Sequence, residues 1–288
     1  MALGGLVALT ACARGATQRE PATILFLTDF GTRDGAVAAC KGVMWSIAPR
    51  ANIVDVSHEV PPYDVETAGE LLEQALPFYP AGVIVVAVVD PGVGSERRAT
   101  AMLTKKGHIL VGPDNGIFTL VMQTEGLERA VELRNSRYFR SEQPSFTFHG
   151  RDLFAPVAAH LAAGVPLDSL GPPIDPVRLD VRPPRIADGR IEGIVRYIED
   201  PYGNVVTNVP VQLLDSIHAR IGDSLEVRIG SRLLRLPWRA TFSDVPTGRA
   251  LALVHSRGLL SFSVNQGDFA STFRVRRKDA VTIRRISR

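Results

Sequence analysis

Apolar residues run without alternation through 23–28 and again through 82–89, each run short, rich in β-branched and large aliphatic residues, and stopped by a loop that opens on an aspartate, Asp29 and Asp90. Continuous apolar character, rather than alternation, marks strands buried on both faces. Residues 35–47 and 65–75 carry helical spacing and 52–56 reads as a further strand. The order strand, helix, strand, helix, strand predicts an α/β domain whose largely parallel sheet is sandwiched by helices. Another strand is expected over 108–111, and a helix over 154–163 that Gly164-Val165-Pro166 would end. In sheets of this kind ligands lie beyond the carboxyl ends of the strands. Polar residues gather there: Asp29 after the first strand, His58 and Tyr63 after the second, Asp90 after the third, and Asp114 after the fourth.

The pattern changes after residue 166. Prolines at 166, 172, 173, 176, 183 and 184, with no sustained periodicity between them, predict a linker. Short β-like runs follow at 189–197, 205–209, 224–229, 232–236, 251–254, 259–264 and 280–283, separated by turn residues, and predict a smaller β-barrel-like domain or sandwich. The expected organisation is a leader and linker over 1–21, an α/β catalytic domain over 22–166, a Pro-rich linker over 167–188 and a β-barrel-like domain over 189–288.

Composition adjusts this picture in two places. The net charge of +3 comes from 33 basic and 30 acidic residues, and the basic excess collects at the carboxyl end, in Arg274, Arg276, Arg277, Lys278, Arg284, Arg285 and Arg288. Without a basic stripe interleaved with aromatics this predicts a solvated edge and no nucleic-acid partner. Of the two cysteines, Cys40 falls in an apolar helical stretch and reads as a buried thiol. Cys12 closes an apolar opening in Leu9-Thr10-Ala11-Cys12, an arrangement that resembles a bacterial lipoprotein signal, although no Lys or Arg precedes the apolar run.

Four segments carry candidate chemistry. In 90–98, a strand-end carboxylate, Asp90, and a guanidinium, Arg97, flank a loop whose glycines allow close backbone approach; a simple turn is the plain alternative. His149 precedes a glycine at a helix entrance, where an imidazole can handle a proton, or where Asp152 merely caps the helix. Tyr202 beside Gly203-Asn204 offers a stacking face and an amide suited to the edge of a heterocycle, or a β-turn. Ser256-Arg257-Gly258 joins two runs and can hold a carboxylate or turn the chain. The remaining histidines show no paired metal spacing, and His160 reads as structural.

In combination the order Leu27-Thr28-Asp29-Phe30-Gly31, Val89-Asp90-Pro91-Gly92-Val93-Gly94 with Arg97, Phe148-His149-Gly150-Arg151-Asp152, Tyr202-Gly203-Asn204 with Thr207-Asn208, and Ser256-Arg257-Gly258 resembles the S-adenosyl-L-methionine (SAM) hydrolases, also called SAM hydroxide adenosyltransferases. These are related to the SAM-dependent fluorinase and chlorinase. The resemblance implies attack of a water-derived oxygen on the 5′ carbon of SAM, yielding adenosine and L-methionine, with Asp90, Arg97 and His149 holding the water and no cofactor or metal.

It further implies that Asp29 takes the ribose hydroxyls, Tyr63 packs on the nucleoside, and Asp34, Ser256 and Arg257 grip the methionine end. Asn204 and Tyr202 would recognise adenine. Glu199 or Asp200 fills the family's acidic position, and the distance to Gly203-Asn204 selects Asp200. A homotrimer with active sites between subunits is implied as well. A carboxylate at Asp90 would repel a halide, which favours water over a halogenase reaction. Two other readings stay open on the residues alone: a divalent-metal phosphoesterase using Asp29, Asp34, Asp90 and Asp114, and a SAM- or adenosine-binding sensor. SAM as substrate implies a cytoplasmic location, and a lipidated Cys12 a membrane-anchored one.

Overall fold

The computed structural model describes residues 20–286, and the leader with Cys12 lies outside the described residues, as does Arg288. The chain divides into two compact units, with the division after Leu179.

The first unit is built on a six-stranded sheet of order β2-β1-β3-β5-β4-β6. Strands β1 (Thr23–Thr28), β2 (Asn52–Ser57), β3 (Ile84–Val88) and β5 (Ile109–Pro113) run parallel. Their apolar runs are continuous because both faces are covered. Ile24 and Phe26 belong to one core with Cys40 and Met44 of helix α1 (Ala36–Ile47) and Phe154 and Val157 near helix α4 (Ala155–Ala162). Leu25 and Leu27, pointing the other way by the period-two pleat, pack with Ala68 and Leu72 of α2 (Val65–Ala75) and Val121 of α3 (Thr119–Glu125). Asp64 caps α2, its carboxylate accepting from Thr67 N at 3.0 Å.

Strands β4 (Ala99–Thr104) and β6 (Leu127–Glu132) are absent from the sequence reading, as is α3. β4 pairs antiparallel with both β5 and β6, so the sheet is mixed at one side. The expected 154–163 helix has an entrance of its own. Residues Gly150–Phe154 form a single π-helical turn before α4, and the chain leaves α4 through Gly164, whose N–H bonds Leu161 O. Asp152 is therefore not an N-cap. It is buried inside this turn, where it accepts from Ser145 N, Arg140 and Arg151.

The proline-rich stretch is only partly a linker. Its first half is tied to the first unit: Val177 N donates to Asp114 Oδ1 at 2.8 Å, Leu179 N to Thr119 Oγ1 at 2.9 Å, and Glu132 N to Pro172 O at 2.9 Å. Proline ended the periodicity without ending the packing.

The second unit is a nearly closed antiparallel barrel-like sheet, with path β11-β10-β14-β8-β9-β13-β12 and β7 (Arg185–Ala187) paired to β8. Its strands are β8 (Arg190–Glu199), β9 (Asn204–Pro210), β10 (Ser224–Ile229), β11 (Arg232–Pro237), β12 (Ala250–Val254), β13 (Leu259–Val264) and β14 (Ala280–Arg285). A bridge between Trp238, just past β11, and Ala252 of β12 joins the two ends of the path. Inward residues such as Val195, Val205, Leu225, Leu260 and Phe262 form its core, which the short helix α5 (Phe269–Phe273) plugs with Phe269. Of the carboxyl-terminal basic residues, Arg284 and Arg285 stand on strand β14, which is paired on both sides by β10 and β8; Arg284 pairs with Glu226 at 2.6 Å and Arg285 with Asp223 at 3.0 Å.

Candidate functional site

Three of the sequence-selected residues meet at the carboxyl end of the parallel sheet. Asp90 follows β3 at its loop, Arg97 lies at the far end of that loop just before β4, and His149 sits immediately before the π-helical turn. Arg97 Nη2 donates to Asp90 Oδ2 at 2.6 Å and contacts His149 Nδ1 at 2.9 Å. Both acid and guanidinium side chains are nearly buried, at 5% and 8% exposure, so the pair is shielded from competing water. Asp90 Oδ1 and Arg97 Nε are buried and have no hydrogen-bond partner in the protein.

The loop geometry follows from small residues. Gly94 adopts φ +78° with Phe146 O against the position a Cβ would take, and Gly150 lies with the Phe30 ring 2.8 Å from that position. A side chain at Gly94 would push the Arg97 loop from the segment leading to His149, and one at Gly150 would push the His149 segment from Phe30.

A guanidinium has donors only. The contact with Arg97 therefore makes His149 Nδ1 an acceptor, and the ring proton sits on Nε2. In this arrangement the lone pair of His149 is already engaged, and the ring offers an N–H. Burial, and secondarily the neighbouring Arg97 charge, hold the His149 pKa below the ordinary imidazole value. Burial raises the Asp90 carboxyl above the ordinary carboxylate value, against the opposing pull of Arg97. Burial also lowers the Arg97 pKa, against Asp90.

The neighbouring loop holds Asp29 and Tyr63 together: Tyr63 N donates to Asp29 Oδ2 at 3.0 Å. Tyr63 has φ +68°, a left-handed conformation unusual for an aromatic residue, and is 71% exposed. Beneath it Thr28 Oγ1 lies 2.9 Å from His58 Nδ1, and Gly31 N donates to His58 O at 2.7 Å. His58 thus buttresses this loop. Asp34 is exposed, and its Oδ1 accepts from Ala36 N at 2.9 Å at the start of α1. Asp114 is committed to Arg98, at 2.5 Å, and to Val177 N. The four acids considered as metal ligands therefore have separate partners, and among the described residues no group of three His, Cys, Asp or Glu is placed to hold a metal ion.

In the second unit a cavity of about 760 Å³ is lined by Glu199, Tyr202, Asn204, Phe242, His255 and Ser256 among others. Three of the predicted residues, Tyr202, Asn204 and Ser256, line it, while Arg257 lies beside it with its guanidinium 6.0 Å from the Tyr197 ring centroid. Asp200 is exposed and does not line the cavity. The acid at the cavity is Glu199: Asn204 Nδ2 donates to its Oε2 at 3.0 Å and His255 Nε2 lies 3.0 Å from its Oε1. Chain distance favours Asp200, but in this turn Gly203 N reaches back to Glu199 O at 2.7 Å and the Glu199 carboxylate is the one that meets Asn204. His255 was not selected from sequence, though it directly precedes the Ser256-Arg257-Gly258 segment that was.

The family model for the SAM hydroxide adenosyltransferase N-terminal domain matches residues 24–171, and that for the C-terminal domain matches residues 193–282. The (R)-S-adenosyl-L-methionine hydrolase of Salinispora arenicola is 40% identical over 263 residues, covering 90% of this chain and 97% of the relative. That of Thermus thermophilus is 40% identical over 250 residues, covering 85% and 92%. A fluorinase of an Actinoplanes species is 30% identical over 290 residues, covering 90% and 96%. Among solved structures, an uncharacterized conserved protein from Thermotoga maritima superposes with a TM-score of 0.87 at 38% identity, over 91% of this chain and all (100%) of that one.

Proposed function

Because the chain belongs to the SAM hydroxide adenosyltransferase family, we propose that it hydrolyses S-adenosyl-L-methionine to adenosine and L-methionine. The observation that carries the reading is the buried Asp90–Arg97–His149 set, in which one Asp90 oxygen is left without a protein partner. Water is a poor nucleophile toward a saturated carbon, so the set's work is to align it and to take its proton. Asp90 Oδ1 accepts that proton, and the raised Asp90 pKa makes it a better base than an ordinary carboxylate. His149 Nε2–H and Arg97 Nε–H supply donors that hold the oxygen. As the O–C5′ bond forms, the C5′–S bond breaks, and its electron pair leaves on sulfur as a neutral thioether. The departing sulfonium carries its own activation, so the step requires neither metal nor acid. The carboxylate at Asp90 disfavours a halide in the same place.

The other roles are part of the same proposal. Asp29 accepts from the ribose hydroxyls and Tyr63 covers the nucleoside. Tyr202 and Asn204 hold adenine. Asp34, Ser256 and Arg257 take the methionine end, with Glu199 in place of Asp200 as the acid at that cavity. The names of the relatives specify the (R) sulfonium epimer, and we take the same epimer as the substrate here. A homotrimer is proposed for the assembly, as the family resemblance implies.

The test is turnover of SAM in ¹⁸O-labelled water followed by mass spectrometry of the adenosine. One labelled oxygen per adenosine is expected. Unlabelled adenosine, or none, would refute the mechanism.

A further inference from the structure

His255 is a histidine with one tautomer open to it. Arg257 N–H donates to His255 Nδ1 at 3.2 Å. A backbone N–H can only donate, so Nδ1 carries the lone pair and Nε2 carries the proton. Nε2 then donates to Glu199 Oε1 at 3.0 Å. The residue is fixed through its backbone as well as its ring. His255 N donates to Leu259 O and Gly258 N to His255 O, both at 2.8 Å, which closes the hairpin between β12 and β13. The Tyr197 ring meets the imidazole edge-on at 6.0 Å between centroids. With 13% of the side chain exposed, His255 is a fixed donor on rigid backbone.

The other Glu199 oxygen, Oε2, accepts from Asn204 Nδ2 at 3.0 Å. An amide whose nitrogen is tied to a carboxylate cannot flip without bringing its carbonyl oxygen against that carboxylate. The orientation of Asn204 is thereby determined, and its Oδ1 is the atom left to meet a ligand in the cavity that Asn204 lines. An acceptor so presented selects for an N–H donor.

We propose that His255 is a positioning residue for base recognition: by locking the Glu199 carboxylate it orients the Asn204 amide so that the cavity reads a 6-aminopurine and rejects a 6-oxopurine. The inference rests on the adenosyl-substrate reading above and adds to it the residue that sets the polarity of recognition. Removal of the His255 donor leaves one of the two bonds that hold Glu199, and Glu199, a third exposed on its side chain, then rotates into water. Asn204 loses its anchor and can present either end of its amide.

The experiment measures adenosine and inosine binding by calorimetry and SAM turnover by adenosine release, in the full chain and in two variants. His255→Leu removes the donor; His255→Gln places an amide N–H near the former Nε2. The unsubstituted protein is expected to bind adenosine at least tenfold more tightly than inosine. In His255→Leu that preference should fall to about threefold or less, with KM for SAM raised about tenfold and kcat changed by less than threefold, because Asp90, Arg97 and His149 are untouched. His255→Gln should recover most of the preference.

A preference retained in a folded His255→Leu variant, or lost equally in both variants, would overturn the inference while leaving SAM hydrolysis standing. Equal binding of adenosine and inosine by the unsubstituted protein would overturn it as well. Selective adenosine binding that depends on His255, without SAM turnover, would sustain the inference and refute the hydrolase reading.

Discussion

Asp90→Asn isolates the base with little change of shape. The substitution keeps an oxygen able to accept from Arg97 and removes the negative charge and the basic lone pair. General-base catalysis contributes about 10²–10⁴-fold in rate, equivalent to about 3–5 kcal/mol of barrier. The same range is expected as the loss in kcat. The retained Arg97 and His149 donors still hold the oxygen, so dissociation constants for adenosine should change by no more than a few-fold.

The charge removal has a separate, thermodynamic signature. Arg97, with its side chain 8% exposed, would be left without its counter-ion. Removal of one partner from a buried pair costs about 3–5 kcal/mol, and the remaining amide oxygen should place Asn near the lower end. Urea unfolding measures that cost, and single-turnover kinetics with calorimetry separate chemistry from binding. A loss of kcat below tenfold, or equal losses in kcat and in adenosine affinity, would refute the assignment of Asp90 as base.

The pH profile provides a second check. Asp90 must be ionised to accept a proton and its pKa is raised, while His149 must stay neutral and its pKa is lowered. Turnover should therefore rise with pH and then level off, the Asp90 limb lying above the ordinary carboxylate value of about 4 and the His149 limb below the ordinary imidazole value of about 6.5. For stability the two groups act in opposite senses. The raised Asp90 pKa contributes stability present below the unfolded carboxyl pKa and lost as pH rises through the folded value. The lowered His149 pKa contributes stability present above the unfolded imidazole pKa and lost as pH falls through the folded one. In Asp90→Asn the carboxylate component of the activity limb should disappear.

His149→Gln, which keeps an N–H donor, should retain turnover to within about tenfold, whereas His149→Ala should lose about 10²-fold; stopped-assay kinetics decide, and equal losses would refute the donor role. EDTA should leave adenosine release unchanged, and a loss restored by a divalent ion would revive the metal reading. Gly150→Ala places a methyl group 2.8 Å from the Phe30 ring, so either the ring or the π-helical turn must move; kcat should fall at least tenfold, with overpacking costing about 1–3 kcal/mol in urea unfolding. Of the two sulfonium epimers, (R)-SAM should be consumed faster, as chiral chromatography of a mixed substrate will show.

Much of the first unit was legible because burial on both faces leaves a direct mark: residues 23–28 and 82–89 could form little other than covered strands. Residues 99–104 and 127–132 left weaker marks. Leu127, Glu128 and Arg129 in β6 lie toward solvent and do not alternate cleanly, and β4 takes its place only through its antiparallel neighbours. The first half of the proline-rich segment read as a linker because its attachments are scattered hydrogen bonds to residues distant in the chain, among them Glu132, Asp114 and Thr119. Motif order pointed to Asp90, Arg97 and His149, and to Tyr202, Asn204 and Ser256 at the cavity of the second unit.

The sequence alone determined the doubly covered strands, the polar residues that open their loops, and the family to which those residues belong, since each is written in local pattern and in motif order. Only the tertiary structure decided the state of the titrating groups. A histidine's tautomer depends on which donor faces which nitrogen. Arg97, 52 positions from His149, makes that ring a donor at Nε2, and the Arg257 N–H does the same for His255. The choice of Glu199 over Asp200 was likewise out of reach of spacing, because adjacent residues on a chain entering a turn point in different directions, and only one carboxylate meets Asn204 and His255.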